Sequence, residues 1–174
     1  MKNARFALTA LAALVVTASC RRVEETRSLN FDPETTAGAL GPGWDSFEKT
    51  DSGDTFVWAH GKEARVLVQS RADGDRLVRF RCWPFGFPGG PGQTLTFSVN
   101  GRKIEAVNLS GEPRVYAIPT PKDAWKRGVN ELTFAFAYAE SPKDRIPGAT
   151  DERTLAAGFD WLEILPPVSA PKKN

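Results

Sequence analysis

Four acidic residues near one long loop and the single histidine are the first candidates for catalysis in this sequence. Glycoside hydrolysis uses two carboxylates at a set separation, and Asp144, Asp151, Glu152 and Asp160 lie near one long loop. Acids in loops are usually solvated, and the sequence alone does not fix the distances between them. His60 is the only histidine, and no Gly-x-Ser-x-Gly elbow accompanies it. We therefore predict that the chain is not an enzyme and that His60 is a turn residue.

Cys82 begins a segment, Cys-Trp-Pro-Phe-Gly, that partly matches the Cys-x-Pro-x-Arg motif of sulfatases. The fifth position is Gly86 instead of arginine, and the aspartate-rich metal cluster of such enzymes is missing from the sequence. Cys82 also alternates in phase with Val78 and Phe80. This spacing predicts a small buried side chain on the core face of a strand.

The aromatic loop 83–92 is the most unusual segment, because Trp83, Phe85 and Phe87 lie there among glycines and prolines. Apolar rings are costly to leave in water, so they should contact something. One interpretation is a surface that stacks on a sugar ring or docks a partner; the other is that the rings seal the open end of the core. We expect Trp83 to seal the core and leave both interpretations open for Phe85 and Phe87. All three are ligand-binding candidates.

Three arginines are further ligand-binding candidates. Arg79 and Arg81 alternate out of phase with the apolar residues of their strand, and Arg65 is expected beside them on a neighbouring strand. On a shared face, their guanidinium groups would suit carboxylate or sulfate groups of an anionic ligand. The alternative is a solvated outer face on which the arginines pair with Asp and Glu.

The first nineteen residues have the three parts of a secretory signal, followed by Cys20. A basic start leads into the apolar run 6–16 and then into small residues. The run is too short to span a bilayer. A cysteine at the cleavage point predicts a lipoprotein of the bacterial cell envelope, and Arg21 in the next position favours the outer membrane over the inner one. The alternative is an ordinary signal peptide with an incidental Cys20.

The charge of the remaining chain is balanced. Lys and Arg number 23 against 21 Asp and Glu, and two of the basic residues, Lys2 and Arg5, leave with the leader. This balance argues against a nucleic-acid partner. With Cys20 acylated, Cys82 has no disulfide partner.

Repeated short strands separated by turns predict an all-β domain at 44–167, after a tether at 20–43 and before a polar tail at 168–174. The Asn100-Gly101 pair predicts a two-residue hairpin. Short helices are expected at 120–125 and 151–157. Eight strands favour an antiparallel jelly-roll sandwich. The immunoglobulin type is less favoured, because this sequence lacks the Cys…Trp…Cys pattern of that fold. The expected strands are Asp54–Ala59, Glu63–Ser70, Arg76–Trp83, Gln93–Val99, Arg102–Leu109, Arg114–Ile118, Glu131–Tyr138 and Phe159–Leu165, with a short pairing segment at Ser28–Phe31.

The stretch 44–165 resembles the galactose-binding-like jelly-roll domains, and in particular the accessory domain that precedes the catalytic domain in some bacterial sulfatase lipoproteins. The segments that carry the resemblance are 55–59, 61–64, 81–85, 99–102, 128–132 and 156–161. The resemblance implies a carbohydrate-binding role, and some such domains hold a structural calcium. It does not imply catalysis here, because the sequence ends where the catalytic domain of those lipoproteins would begin. The chain is then either a free-standing relative or a piece of a longer gene product.

The sequence therefore predicts a lipid-anchored, non-catalytic module that binds a glycan, including an anionic one, without a cofactor. The alternative is an interaction lipoprotein that docks onto a separate envelope protein such as a sulfatase-type hydrolase.

Overall fold

The computed structural model describes residues 25–36, 38–71 and 74–166. The leader, Cys20 and the tail at 168–174 lie outside this range. Ten strands make up most of the described chain: β1 Ser28–Asn30, β2 Trp44–Lys49, β3 Thr55–His60, β4 Glu63–Ser70, β5 Arg76–Pro84, β6 Thr94–Val99, β7 Arg102–Asn108, β8 Arg114–Thr120, β9 Gly128–Phe136 and β10 Leu155–Leu165. One short helix, α1, spans Pro142–Arg145, and a 3-10 turn spans Lys122–Ala124.

The strands form two antiparallel sheets that face each other. The six-stranded sheet has the order β2-β3-β10-β5-β8, and β1 also pairs with β10. The four-stranded sheet has the order β4-β9-β6-β7. The predicted all-β sandwich is confirmed.

The core lies between the two sheets and is built mainly by alternation of inward and outward residues along their strands, although β10 is buried at five consecutive positions, 155–159. Val57, Phe80 and Phe159 come from the six-stranded sheet, and Phe97 and Phe134 come from the four-stranded sheet; all five are fully buried. Full burial of such a side chain stabilises the fold by about 1.5–3 kcal/mol. Apolar residues alternate with polar or small ones in the sequences of β6 and β9, which predicts that Leu95, Phe97, Val99, Leu132 and Phe134 face inward, and the structure confirms this.

The sandwich begins before Trp44. Phe31 is fully buried, and its ring centroid lies 5.2 Å from that of Trp44. Leu40 bridges to Val66 on β4, so the described part of the predicted tether packs against both sheets. Its last turn needs Gly43, where φ is +92° and a Cβ would lie 2.0 Å from the Glu63 carbonyl oxygen.

Local predictions met three different outcomes. The Asn100-Gly101 hairpin is confirmed, with φ of +50° and +78°. The helix predicted at 151–157 is wrong, because its second half pairs with β3 and begins β10. The helix predicted at 120–125 is reduced to the 3-10 turn, since Thr120 ends β8 and its hydroxyl donates to the Arg76 carbonyl.

Strand β2 was not predicted. Its two inward rings, Trp44 and Phe47, are three residues apart, a spacing that breaks the period-two pattern of a strand. A register shift between these residues absorbs the extra position.

Candidate functional site

A group of aromatic rings lies on the solvent side of the six-stranded sheet and continues over one end of the sandwich. Val57 and Ala59 of β3 point into the core, so Phe56 and Trp58 point outward. In the same way, Cys82 of β5 points inward and Trp83 outward. We call the set the outer aromatic cluster; ring contacts of 5.3–6.3 Å join its members, which are Phe56, Trp58, Trp83, Phe85, Phe87 and Tyr138.

Trp58, Gly158 and Trp83 lie side by side across three neighbouring strands. Gly158 of β10 is the register partner of Trp58 on β3 and of Trp83 on β5. A Cβ at Gly158 would lie 2.5 Å from Cε2 and 2.6 Å from Cζ2 of Trp83. The indole therefore lies directly over the backbone of β10, and only glycine leaves room for it. We call these three residues the platform.

The indole N–H groups separate structural tryptophans from candidate binding residues. Trp44 donates to the Arg65 carbonyl at 2.6 Å, and Trp125 donates to the Thr120 hydroxyl at 3.0 Å. For Trp58, Trp83 and Trp161, no residue in the described part of the chain accepts this hydrogen bond. Each of these three indoles is half-buried. The outer face therefore offers indole rings with unused donors, and the planes of Trp58 and Trp83 are inclined to each other by 75°.

The aromatic loop closes the end of the sandwich. Phe85 is only 7% exposed, and its carbonyl accepts a hydrogen bond from the Tyr138 hydroxyl at 2.9 Å. Phe87 is half-buried, with its ring centroid 5.7 Å from that of Tyr138 and the Arg145 guanidinium over the ring at 5.4 Å. Of the two interpretations left open from the sequence, the structure gives the sealing role to Phe85 and a covered position to Phe87. Trp83, expected to seal the core, lies instead on the outer face.

The three candidate arginines do not form one stripe. Arg65 belongs to β4 of the four-stranded sheet, whose outer face lies on the opposite side of the molecule from β5. There it pairs with Glu63 at 2.6 Å and Glu131 at 3.5 Å. The expected neighbourhood of Arg65 with Arg79 and Arg81 is therefore wrong, because their strands pair in different sheets.

Arg79 and Arg81 do share the outer face with the platform, and both are engaged there. Arg79 pairs with Glu163 at 3.0 Å and lies over the Trp161 ring at 5.5 Å. Arg81 pairs with Asp160. The solvated, acid-paired interpretation of these arginines agrees with the geometry.

An acidic cluster around Arg153 borders the other side of the platform. Glu48 of β2 is the register partner of Phe56, and its carboxylate lies 2.5 Å from Nη1 of Arg153. Asp151 pairs with Nη2 at 2.7 Å, and Asp45 lies 3.7 Å from Nη1. The hydrogen bonds that Arg153 donates lower the pKa of Asp151, and the acceptance of these bonds by Asp151 and Glu48 raises the pKa of Arg153. Sequence reasoning missed Arg153, because it fell inside the helix predicted at 151–157.

Three of the four candidate catalytic acids are held in ion pairs. Asp151 pairs with Arg153, Glu152 with Lys143, and Asp160 with Arg81. Each of these carboxylates therefore already has a cationic partner in the protein. His60 ends β3 as an exposed side chain, and its Nδ1 lies 3.7 Å from Asp45.

Cys82 is fully buried in the core, and desolvation raises the pKa of its thiol, so it is not a nucleophile. Within residues 25–36, 38–71 and 74–166, no group of three or more His, Cys, Asp or Glu is placed to hold a metal ion. The guanidinium of Arg153 lies among the carboxylates of Glu48 and Asp151. No helix in the described part is long and apolar enough to cross a membrane.

Comparison with solved structures supports the fold. The CBM35 domain from Cellvibrio japonicus Abf62 superposes with a TM-score of 0.51 at 14% identity, covering 81% of this chain and 94% of that chain. The C-terminal CBM6 of LamC, a marine laminarinase from Zobellia galactanivorans, gives 0.48 at 7% identity, covering 79% and 97%. CsCBM6-3 from Clostridium stercorarium, solved with cellobiose, gives 0.47 at 10% identity, covering 82% and 95%.

Of these three superpositions, only that with the CBM35 domain exceeds a TM-score of 0.5. Because its sequence identity is only 14%, the comparison supports a shared fold and nothing more. No family model and no curated protein matches the chain. The fold is the jelly-roll β-sandwich found in carbohydrate-binding modules, as the galactose-binding-like resemblance implied.

Proposed function

We propose that this chain is a non-catalytic carbohydrate-binding domain that holds a sugar ring against the platform of Trp58, Gly158 and Trp83. The observation that carries the proposal is the pair of half-buried indoles with unused N–H donors on an outer sheet face. A sugar presents apolar C–H groups on its ring faces and hydroxyls at its edge. An aromatic surface with unpaired donors complements both.

The surroundings of the platform support the same function. Phe56 lies two residues before Trp58 on the same face of β3 and is 9% exposed, with its ring 5.3 Å from Trp83 and 5.8 Å from Trp58. This packing fixes the two indoles before a ligand arrives, which reduces the entropy cost of binding. Arg81 and Glu48 lie on either side and offer charged hydrogen-bonding groups. The jelly-roll fold, shared with the CBM35 domain of Abf62, is consistent with this role.

The proposal is tested by affinity electrophoresis of the domain through gels that contain one polysaccharide each: hydroxyethyl cellulose, xylan, laminarin or galactan. Wild type should be retarded by at least one of them. The double variant Trp58→Ala/Trp83→Ala should bind the polysaccharide roughly a hundredfold more weakly and should no longer be retarded. Tryptophans that become buried against a ligand are typical binding hot spots.

The matched control is Leu67→Ala/Val129→Ala, which shortens two exposed apolar side chains on the opposite sheet. This variant should bind as wild type does. Absence of retardation on every polysaccharide would contradict the proposal and would favour the alternative, docking onto a separate envelope protein such as a sulfatase-type hydrolase.

We also propose that Cys20 is lipidated and anchors the domain to the outer membrane of a bacterial envelope. The sequence of the leader supports this, and Cys20 itself lies outside the described residues. Wild type expressed with its leader should partition into the detergent phase of Triton X-114, and Cys20→Ser should remain in the aqueous phase. Equal partition of the two proteins would contradict lipidation.

A further inference from the structure

The outer face that carries the platform has more acidic than basic groups. On one side, Arg153 is shared by three carboxylates. On the other side, Arg79 and Arg81 each hold one carboxylate. The face therefore has three arginines, which are Arg79, Arg81 and Arg153, against five carboxylates, which are Asp45, Glu48, Asp151, Asp160 and Glu163.

This balance disfavours an anionic ligand for two reasons. Guanidinium groups bind sulfate or carboxylate strongly when both arms of the fork are available. Both arms of Arg153 already contact protein carboxylates, and one arm, Nη1, does so in Arg79 and in Arg81. A ligand anion that used both arms of any of these arginines would have to displace a carboxylate. It would also approach a surface with a net negative charge, which slows encounter and weakens binding.

A neutral sugar meets no such opposition. Its hydroxyls can donate to carboxylate oxygens, and the side chains of Glu48 and Asp151 are each 33% exposed beside the platform. The same hydroxyls can accept from the free indole N–H groups of Trp58 and Trp83. Both kinds of hydrogen bond form without breaking an existing ion pair.

We infer that the platform selects neutral glycans over sulfated or uronic ones. This inference rests on the proposed function and narrows the anionic option that the arginines suggested in the sequence. The two net negative charges of the outer face repel each anionic group of a ligand. At a separation of roughly 8 Å in water, this repulsion should weaken binding about fivefold for each such group.

The test uses pairs of polysaccharides that share a backbone and differ in charge: hydroxyethyl cellulose against carboxymethyl cellulose, and laminarin against sulfated laminarin. Affinity electrophoresis at low salt gives a dissociation constant for each member. We expect the neutral member to bind about fivefold or more tightly than its charged counterpart, and added salt to reduce the difference by screening.

A charge-changing variant locates the effect. Glu48→Gln/Glu163→Gln removes two negative charges from the outer face and frees Arg79, so the discrimination should fall to about twofold or less. The control Glu63→Gln/Glu131→Gln makes the same change around Arg65 on the opposite sheet. It should keep the wild-type discrimination.

The outcomes separate this inference from the proposed function. The inference is supported if the neutral polysaccharide of a pair binds more tightly than the charged one and only Glu48→Gln/Glu163→Gln loses this discrimination. Equal or tighter binding of the charged members would overturn it and leave carbohydrate binding standing. Equal loss of discrimination in both double variants would assign the effect to overall charge and overturn it as well. Binding to no member would overturn the proposed function and this inference together.

Discussion

The molecule has two aromatic clusters, one on each side of the six-stranded sheet, and they differ in what they leave unsatisfied. The inner one fills the space between the sheets, and its rings are Phe31, Trp44, Phe80, Phe97, Tyr116, Phe134, Phe136 and Phe159. Its one indole, Trp44, has its N–H paired. The outer aromatic cluster has similar ring distances, yet both of its indoles have a free N–H.

The comparison shows that ring packing alone does not distinguish a structural cluster from a binding surface. Rings pack at 5–6 Å in both clusters because edge-to-face and offset contacts are favourable wherever rings meet. The difference is in the polar atoms and in the exposure. A folded core satisfies its donors, whereas a binding surface keeps donors for a ligand. Three predictions test this difference, from the largest expected effect to the smallest, and a fourth concerns the acidic cluster beside the platform.

Phe134→Ala should have the largest effect on stability. Phe134 is fully buried, and its ring contacts those of Trp44, Phe80, Phe97 and Phe159. Its truncation should lower the free energy of unfolding by about 3–5 kcal/mol and the melting temperature by about 10 °C. Differential scanning calorimetry measures both.

Trp58→Ala is the partner variant from the outer aromatic cluster. It should lower the melting temperature by only a few degrees, while weakening glycan binding about thirtyfold. A larger loss of stability in Trp58→Ala than in Phe134→Ala would remove the distinction between the clusters.

Phe85→Ala should have the next largest effect on stability. The buried Phe85 ring seals the end of the sandwich, so its loss should lower the free energy of unfolding by about 3 kcal/mol. Phe87→Ala, which truncates the half-buried neighbour, should cost less than half as much. Chemical denaturation curves decide between them. If both variants unfolded as wild type does and lost glycan binding, the loop would be the binding site instead.

Gly158→Ala should disturb the platform without removing a ring. The added methyl group overlaps the Trp83 indole and must displace it, so we expect glycan binding to weaken about tenfold and stability to fall by about 1–3 kcal/mol. Gly111→Ala is the matched control, because a Cβ at Gly111 has nothing within 4 Å. The control should bind as wild type does. Unchanged binding by Gly158→Ala would show that the position of Trp83 does not matter.

The acidic cluster beside the platform predicts a small dependence of stability on pH. Arg153 lowers the pKa of Asp151 in the folded state below its usual 3.8. The ionised form is therefore preferred on folding. The stability it contributes is present above the usual pKa and is lost as the pH falls through the lowered one.

Asp151→Asn should accordingly be less stable than wild type at about pH 7, and the difference should shrink as the pH falls below about 3.8 and Asp151 takes up a proton. Thermal denaturation at about pH 7 and at a series of lower pH values measures the difference. A gap that persists in acid would mean that Asp151 acts through its hydrogen bonds and not its charge.

The inner cluster could be predicted from the sequence, because alternation in β6 and β9 marks one apolar face clearly. Leu95, Phe97 and Val99, and likewise Leu132 and Phe134, were placed inward for this reason and are fully buried. Cys82 followed from the same rule.

The outer aromatic cluster could not be predicted in this way. The run 56–59 of β3 is apolar on both faces, so its alternation does not tell an inward residue from an outward one. The role of Gly158 depends on Trp83, which is distant in the sequence and adjacent only after β5 and β10 pair. The separation of Arg65 from Arg79 likewise depends on which strands share a sheet. Such facts belong to the topology and not to any local pattern.

The most direct test of the central claim observes the five indole N–H signals in a ¹⁵N-HSQC spectrum during titration with neutral oligosaccharides, using cellohexaose, xylohexaose and laminarihexaose as probes. Single Trp→Phe variants assign the signals. With at least one probe, the signals of Trp58 and Trp83 should shift in a saturable way, while those of Trp44 and Trp125, whose donors are already paired, stay in place. Saturable shifts confined to Trp44 and Trp125, or no shift of Trp58 and Trp83 with any probe, would contradict the account.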